Sequence, residues 1–135
     1  MKITICGSVK FADELVNIYN QLKKLGHSPQ MHEEMFGIVG NNTDDFQNSI
    51  ETKRKSNLIK IWYKLIMNSD AILVCNYNKN GIKDYIGGNT LMEIGFAYVN
   101  NKKIFLLNGI PENVSYRDEI EAMDSICLHG DLTKI

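Results

Sequence analysis

Short, almost unbroken apolar runs alternate along this chain with segments whose apolar residues recur at helical spacing. The runs Lys2 to Cys6 (KITIC), Ala71 to Cys75 (AILVC) and Lys103 to Leu107 (KIFLL) have strand length and β-branched or aromatic enrichment. Their continuous hydrophobicity predicts strands covered on both faces. Ser28 to His32 and Ser125 to Leu128 are weaker strand candidates. Between them, Leu15, Ile18, Tyr19, Leu22 and Leu25 share one helical face ending at Gly26, a good terminator. A second helical pattern runs from about Ile50 to Met67, with Leu58, Ile61, Trp62, Leu65 and Ile66 on one face. A third is expected to start near Thr90, and a short fourth covers Tyr116 to Met123.

Five strands therefore alternate with four helices, and parallel neighbours need such crossovers. The expected fold is one α/β domain over residues 1–135: a Rossmann-like or flavodoxin-like sandwich with a five-stranded, mainly parallel sheet and helices on both faces. Ligands of such sheets bind beyond the carboxyl ends of the strands, where the strand order reverses. That rule selects the loops Gly7 to Phe11, Glu33 to Phe46 and Tyr77 to Asn89.

Composition adds limits. At 135 residues, 44% hydrophobic and 23% charged, the chain is ordinary for one globular core, with no low-complexity linker. Fifteen Lys+Arg against 16 Asp+Glu leave a net charge of −1, which gathers no polyanion, and Lys53-Arg54-Lys55 reads as a solvated helix face. A nucleic-acid polymer is not an expected partner. Cys6, Cys75 and Cys127 are odd in number and widely spaced, so they read as buried free thiols. The chain opens directly into MKITIC, and no apolar run reaches bilayer length, so a cytoplasmic protein without membrane attachment is expected.

Candidate chemistry concentrates in the selected loops. Gly7-Ser8 joins a strand to a helix, where amides and a hydroxyl can cradle a phosphate or simply form a tight turn. Neither GxGxxG nor a P-loop occurs. Asp70, just before the third strand, is either an exposed helix terminator or a carboxylate held by buried partners. The loop YNKNGIKDYIGG is long for a strand-to-helix connection and has the character of a lid or binding loop. Within it Asp84 reads as a solvated loop residue or a ligand contact. Gly87-Gly88 permits either close backbone approach or a left-handed turn. Glu93 fits two patterns: Thr90-x-x-Glu93 is a capping box, and the carboxylate also faces a predicted ligand edge. Gly95, unfavourable inside a helix, suggests crowding around Glu93. His27, His32 and His129 lack metal-like spacing, and Trp62 and the methionines read as core or interface filling. The stretch 33–46, with Met35, Phe36 and Phe46, suits either a wall over a base-sized ligand or a mobile surface loop.

The GS after the first strand, SDAILV at the third, and GGNTLMEIGFAYVNNKKIFLL together resemble the nucleoside 2-deoxyribosyltransferase superfamily. That group includes base-exchanging transferases and hydrolases of deoxynucleoside 5′-monophosphates. The resemblance implies that Glu93, in Glu-x-Gly-x-Ala, is a nucleophile forming a glycosyl-enzyme intermediate. It implies that Asp70 positions the substrate and assists proton transfer, and that Ser8 holds a 5′-phosphate. Phe11 takes the place of a substrate-contacting aromatic; Asp84 and Asn89 fall in the loop that corresponds to the family's acidic binding loop. It also implies a homodimer or larger assembly, a nucleoside or nucleotide as small-molecule partner, and no cofactor or metal. GGNTLME is similar as well to the GGxGTxxE signature of phosphoribohydrolases that release cytokinin bases. Both point to N-glycosidic bonds, with a noncatalytic nucleotide-binding module as the alternative. Between its two readings, Glu93 is expected to be catalytic.

Overall fold

The structure, a computed structural model, describes residues 1–38 and 55–135. Five strands form one sheet: β1 (Lys2–Cys6), β2 (Ser28–Gln30), β3 (Ala71–Val74), β4 (Lys103–Leu106) and β5 (Ile126–Cys127), ordered β2-β1-β3-β4-β5. All neighbouring pairs are parallel, with Ile3 opposite Ala71 and Ala71 opposite Lys103. The central strands are those read as continuous apolar runs, because β3 is buried at every position and β4 at all but its first. The two weak candidates are edge strands, paired on one side only, and are correspondingly shorter than the sequence pattern suggested.

Helices cover both faces. On one, Ile3, Ile5, Leu73 and Phe105 pack with Leu15, Ile18 and Leu22 of α1 (Ala12–Lys24) and with Met35 of α2 (Glu34–Ile38). On the other, Cys6, Ile72, Val74 and Leu106 pack with Ile66 of α3 (Lys55–Met67), Ile94 and Ala97 of α4 (Gly88–Val99), and Ile120 of α5 (Arg117–Ala122). The period-two alternation of each strand decides which side chain joins which layer. α1 stops at Gly26, whose φ of +87° suits glycine and ends the helix before β2. No helix among the described residues is long and apolar enough to cross a membrane.

The chain leaves β1 toward β2 on one side and resumes at β3 on the other, so the strand order reverses between β1 and β3. The loops leaving these two strands must diverge, and a crevice opens at their carboxyl ends. Gly7 stands at its floor. A β-carbon there would sit 3.1 Å from Leu15 Cδ2 and 3.3 Å from the Cys75 carbonyl, so only a hydrogen fits without displacing its neighbours. The lysine-arginine cluster at 53–55, apart from the backbone of Lys55 in α3, and residues 39–46 of the 33–46 stretch lie outside the described residues.

Candidate functional site

The crevice holds a cavity of about 400 Å³, within the usual range for small-ligand sites. Gly7, Ser8 and Phe11 line it from the β1 loop, Cys75 and Asn76 from the end of β3, and Gly87, Gly88, Asn89 and Glu93 from the entry and first turns of α4.

α4 sets the position of Glu93. Ile94 and Ala97 turn inward against β3 and β4, and burying Ile94 alone contributes roughly 1.5–3 kcal/mol. With that face fixed, residue 93 is carried to the inner side at the sheet's edge, where it is 9% exposed. Burial pushes the Glu93 carboxyl up from 4.5 to about 7, although a hydrogen bond with the Cys6 thiol pulls in the opposite direction. Cys6, on the same layer at the end of β1, is wholly buried. Burial, reinforced by the neighbouring Glu93, raises its thiol well above the ordinary range, which keeps it a neutral donor.

The capping box is not formed. α4 begins at Gly88, its cap is Gly87 in extended conformation without a side-chain bond, and Thr90 lies inside the helix. The first intrahelical bond runs from the Leu91 amide to the Gly87 carbonyl at 2.9 Å. Helical geometry leaves the amides of Gly88, Asn89 and Thr90 without intrahelical acceptors, and those residues line the cavity. The helix therefore turns its positive end toward the ligand space. The crowding expected from the glycines is not found: at Gly87 a β-carbon would make ordinary contact with the Tyr85 ring at 3.4 Å. At Gly88 and Gly95 it would meet nothing within 4 Å.

Two candidates stand apart from the cavity. Asp70 immediately precedes β3 and so lies at the amino edge of the sheet, a strand length away, about 13 Å. It is exposed, and its carboxylate accepts the Lys2 amide at 2.7 Å, tying the start of β1 to β3. That geometry explains it as a strand-registering residue. Asp84 is a brace in the loop after β3: its φ is +55°, its amide donates to Asn78 Oδ1 at 3.0 Å, and its carboxylate accepts the Gly109 amide at 3.3 Å. At Gly109 a β-carbon would lie 3.0 Å from Asp84 Oδ2, so any larger residue there must push the Asp84 carboxylate aside.

Several cavity groups had escaped the sequence reading. The long loop after β3 contains a tight hairpin, with Lys79 and Ile82 exchanging amide bonds at 3.1 and 2.9 Å across Asn80 (φ +55°) and Gly81 (φ +70°). Asn-Gly is the strongest short hairpin signal, and it was present in YNKNGIK. The hairpin carries Lys79 to Ser8, Nζ donating to Oγ at 3.0 Å. Buried Asn76 roots the loop: its Nδ2 donates to Gly109 O at 2.7 Å and Asp84 O at 3.2 Å, while its Oδ1 accepts the Asn108 amide at 3.0 Å. Tyr77 meets Phe11 with ring centroids 5.1 Å apart, and Trp62, Tyr85 and Phe96 add aromatic wall. Tyr116 anchors that wall by donating its hydroxyl to the Ile86 carbonyl. Trp62, read as core or interface filling, thus has a second face on the cavity. From the 33–46 stretch, Glu34 and Met35 reach it, together with His32 just before.

Comparison with the sequence profiles of known families gave no match, and comparison with curated protein sequences gave none either. Among solved structures, the chain is similar in fold to a CMP N-glycosidase, BcmB, from Clostridium botulinum, with a TM-score of 0.56 at 14% identity. The likeness covers 94% of this chain and 88% of that one, so it concerns the whole arrangement of sheet and helices. This protein is an α/β sandwich on an all-parallel five-stranded sheet, and its fold is shared with a nucleotide N-glycosidase.

Proposed function

We propose that this protein breaks the N-glycosidic bond of a nucleoside or nucleoside 5′-monophosphate, with Glu93 as nucleophile. One observation carries the reading: a buried carboxylate on α4 facing a nucleoside-sized cavity at the β1/β3 switch point. The fold likeness to a CMP N-glycosidase and the Glu-x-Gly-x-Ala motif support the same chemistry.

In the proposed reaction a Glu93 carboxylate oxygen attacks C1′. The C1′–N bond breaks, its electron pair leaves with the base, and the base takes up a proton. The carboxylate stabilises the positive charge that develops on the sugar, then holds it as a glycosyl ester. Water opens the ester and regenerates the carboxylate; an incoming base at the same carbon would give transfer instead. Hydrolysis is the favoured course. Phe11 and Tyr77 offer ring faces for a base. Asp70, at the far edge of the sheet, takes no part.

Attack requires the ionised form, so a carboxyl near 7 makes the nucleophile available only as pH approaches neutrality. The test is chromatographic detection of free base from a panel of ribo- and deoxyribonucleosides and their 5′-monophosphates. Wild type, Glu93→Ala and Glu93→Gln are run in parallel. Base release by wild type that falls roughly 10³-fold or more in both folded variants is expected. A wild type that binds nucleotide but neither releases nor exchanges base would leave a nucleotide-binding module, with Glu93 in a structural role.

A further inference from the structure

We infer that the base end of the cavity is an aromatic site for a cation, and that the substrate is a nucleoside or nucleotide whose base carries a positive charge, as a pyridinium or an N-alkylated purinium does. The inference rests on the N-glycosidic reading for the bond that breaks, but not for the recognition of the cation. Phe11, Trp62, Tyr77, Tyr85 and Phe96 line the cavity, and all five are half-buried. Ring contacts fix three of them: Phe11 meets Tyr77 at 5.1 Å and 48°, and Phe96 meets Tyr63 of α3 at 5.2 Å and 86°. Phe96 lies three residues beyond Glu93 on α4, and residues so spaced are neighbours on a helix surface. A ring therefore adjoins the carboxylate proposed to attack C1′, the carbon to which the base is joined. A ring face attracts a cation through its quadrupole, most strongly at Trp, and more so where water is excluded. Charge agrees with this occupant. The described lining residues include the carboxylates of Glu34 and Glu93, and the ammonium of Lys79 is engaged with Ser8 at 3.0 Å.

The supply of protons points the same way. A neutral base that takes the electron pair of the C1′–N bond must also receive a proton, whereas a cationic base takes the pair and leaves neutral. On the α3 side the described wall is Leu58, Ile59 and Trp62, none of which is an acid. Asp70, expected to assist proton transfer, lies at the opposite edge of the sheet. Burial holds the Cys75 thiol and the Tyr77 hydroxyl above their ordinary ranges, which makes both weaker acids. His32 is the strongest rival source of a proton, because its Nδ1 accepts the Glu34 amide at 3.2 Å and a neutral imidazole so bonded carries its hydrogen on Nε2. A cationic base needs no such donor. A Glu93 oxygen bonds to C1′, the C1′–N pair neutralises the ring nitrogen, and water then opens the ester.

The experiment uses nicotinamide mononucleotide, whose pyridinium is a cation, and its reduced form, a neutral base of nearly the same shape on the same sugar phosphate. Calorimetric Kd values for the pair are taken in Glu93→Gln protein, alone and combined with Trp62→Leu or with Phe96→Leu. The kcat/KM for base release from nicotinamide mononucleotide and from uridine 5′-monophosphate is measured in wild type and His32→Ala. The cation is expected to bind about 3- to 30-fold more tightly than the reduced form, and each ring variant to lose most of that ratio. Nicotinamide release is expected to exceed uracil release and to stay within about twofold in His32→Ala, where loss of a general acid costs roughly 100-fold or more. Equal Kd values for the pair, no measurable binding of the cation, or a ratio unchanged in both ring variants overturns the cation site, and uracil release would then leave the glycosidase reading standing. A cation preference that the ring variants remove, with no base released from either substrate, supports the site and rejects the chemistry. A fall of roughly 100-fold in nicotinamide release in His32→Ala overturns the departure of the base without a protein acid.

Discussion

Under the proposed reaction, Glu93 is held in a compromise between two demands. The apolar anchoring of α4 buries it, which favours the neutral acid, whereas attack at an anomeric carbon needs the carboxylate. Its carboxyl near 7 is the balance point, and the Cys6 thiol is the neighbour that keeps it from rising further. For the proposed reaction, kcat/KM is therefore expected to fall tenfold per pH unit below about 7. Cys6→Ala, which removes the donor, moves that acid limb to higher pH; a pH profile of each protein checks it. The same shift has a stability consequence. Because the folded state holds the Glu93 proton more tightly than the unfolded chain, this group's contribution is complete below pH 4.5 and is lost as pH rises through about 7. Glu93→Gln, which cannot ionise, is accordingly expected to gain stability relative to wild type between pH 5 and pH 8. The gain is on the order of 3 kcal/mol, from the rise of 4.5 to about 7, and is read from denaturant melts at the two values.

The loop between β3 and α4 shows how an element is fixed by residues that never touch a substrate. Asn76 bonds to Gly109 and Asp84 carbonyls and to the Asn108 amide, so it joins the end of β3 to two separate loops. Asn76→Ala leaves those groups without their partner in a buried setting, at about 1–3 kcal/mol for each group that water cannot reach. The expected result is a lower denaturant midpoint together with weaker ligand binding, since Lys79 and Tyr77 ride on the same loop. At this scale the sequence is readable in part. Asn80-Gly81 carried a recognisable hairpin signal, but where the hairpin would deliver Lys79 depends on the meeting of two loops separated by about seventy positions. Thr90-x-x-Glu93 misled for a related reason. A capping box is a local pattern, and here α4 already begins at Gly88, with Gly87 as its cap, so Thr90 falls inside the helix.

Across the whole molecule, the layout was legible because it rests on periodicity. Continuous apolar runs at β1, β3 and β4 and helical spacing in α1 and α3 were enough to give a parallel sheet, and the sheet's switch point gave the location of the cavity. Position relative to that sheet also separated the candidates. Gly7, Ser8, Phe11, Gly87, Gly88, Asn89 and Glu93 follow strands or open a helix and meet in one crevice, whereas Asp70 precedes a strand and is carried to the other edge. The aromatic wall was not legible as such, because the same residues that line a cavity also satisfy the spacing rules of a core. What remains is whether the carboxylate at the centre of the crevice bonds to sugar. The most direct measurement is the mass of the intact protein after acid quench during turnover of a nucleoside 5′-monophosphate, followed by peptide mapping. The account predicts an added pentosyl phosphate on the peptide containing Glu93, absent from Glu93→Gln. An adduct mapping elsewhere, or base release by Glu93→Gln at the wild-type rate, would contradict it.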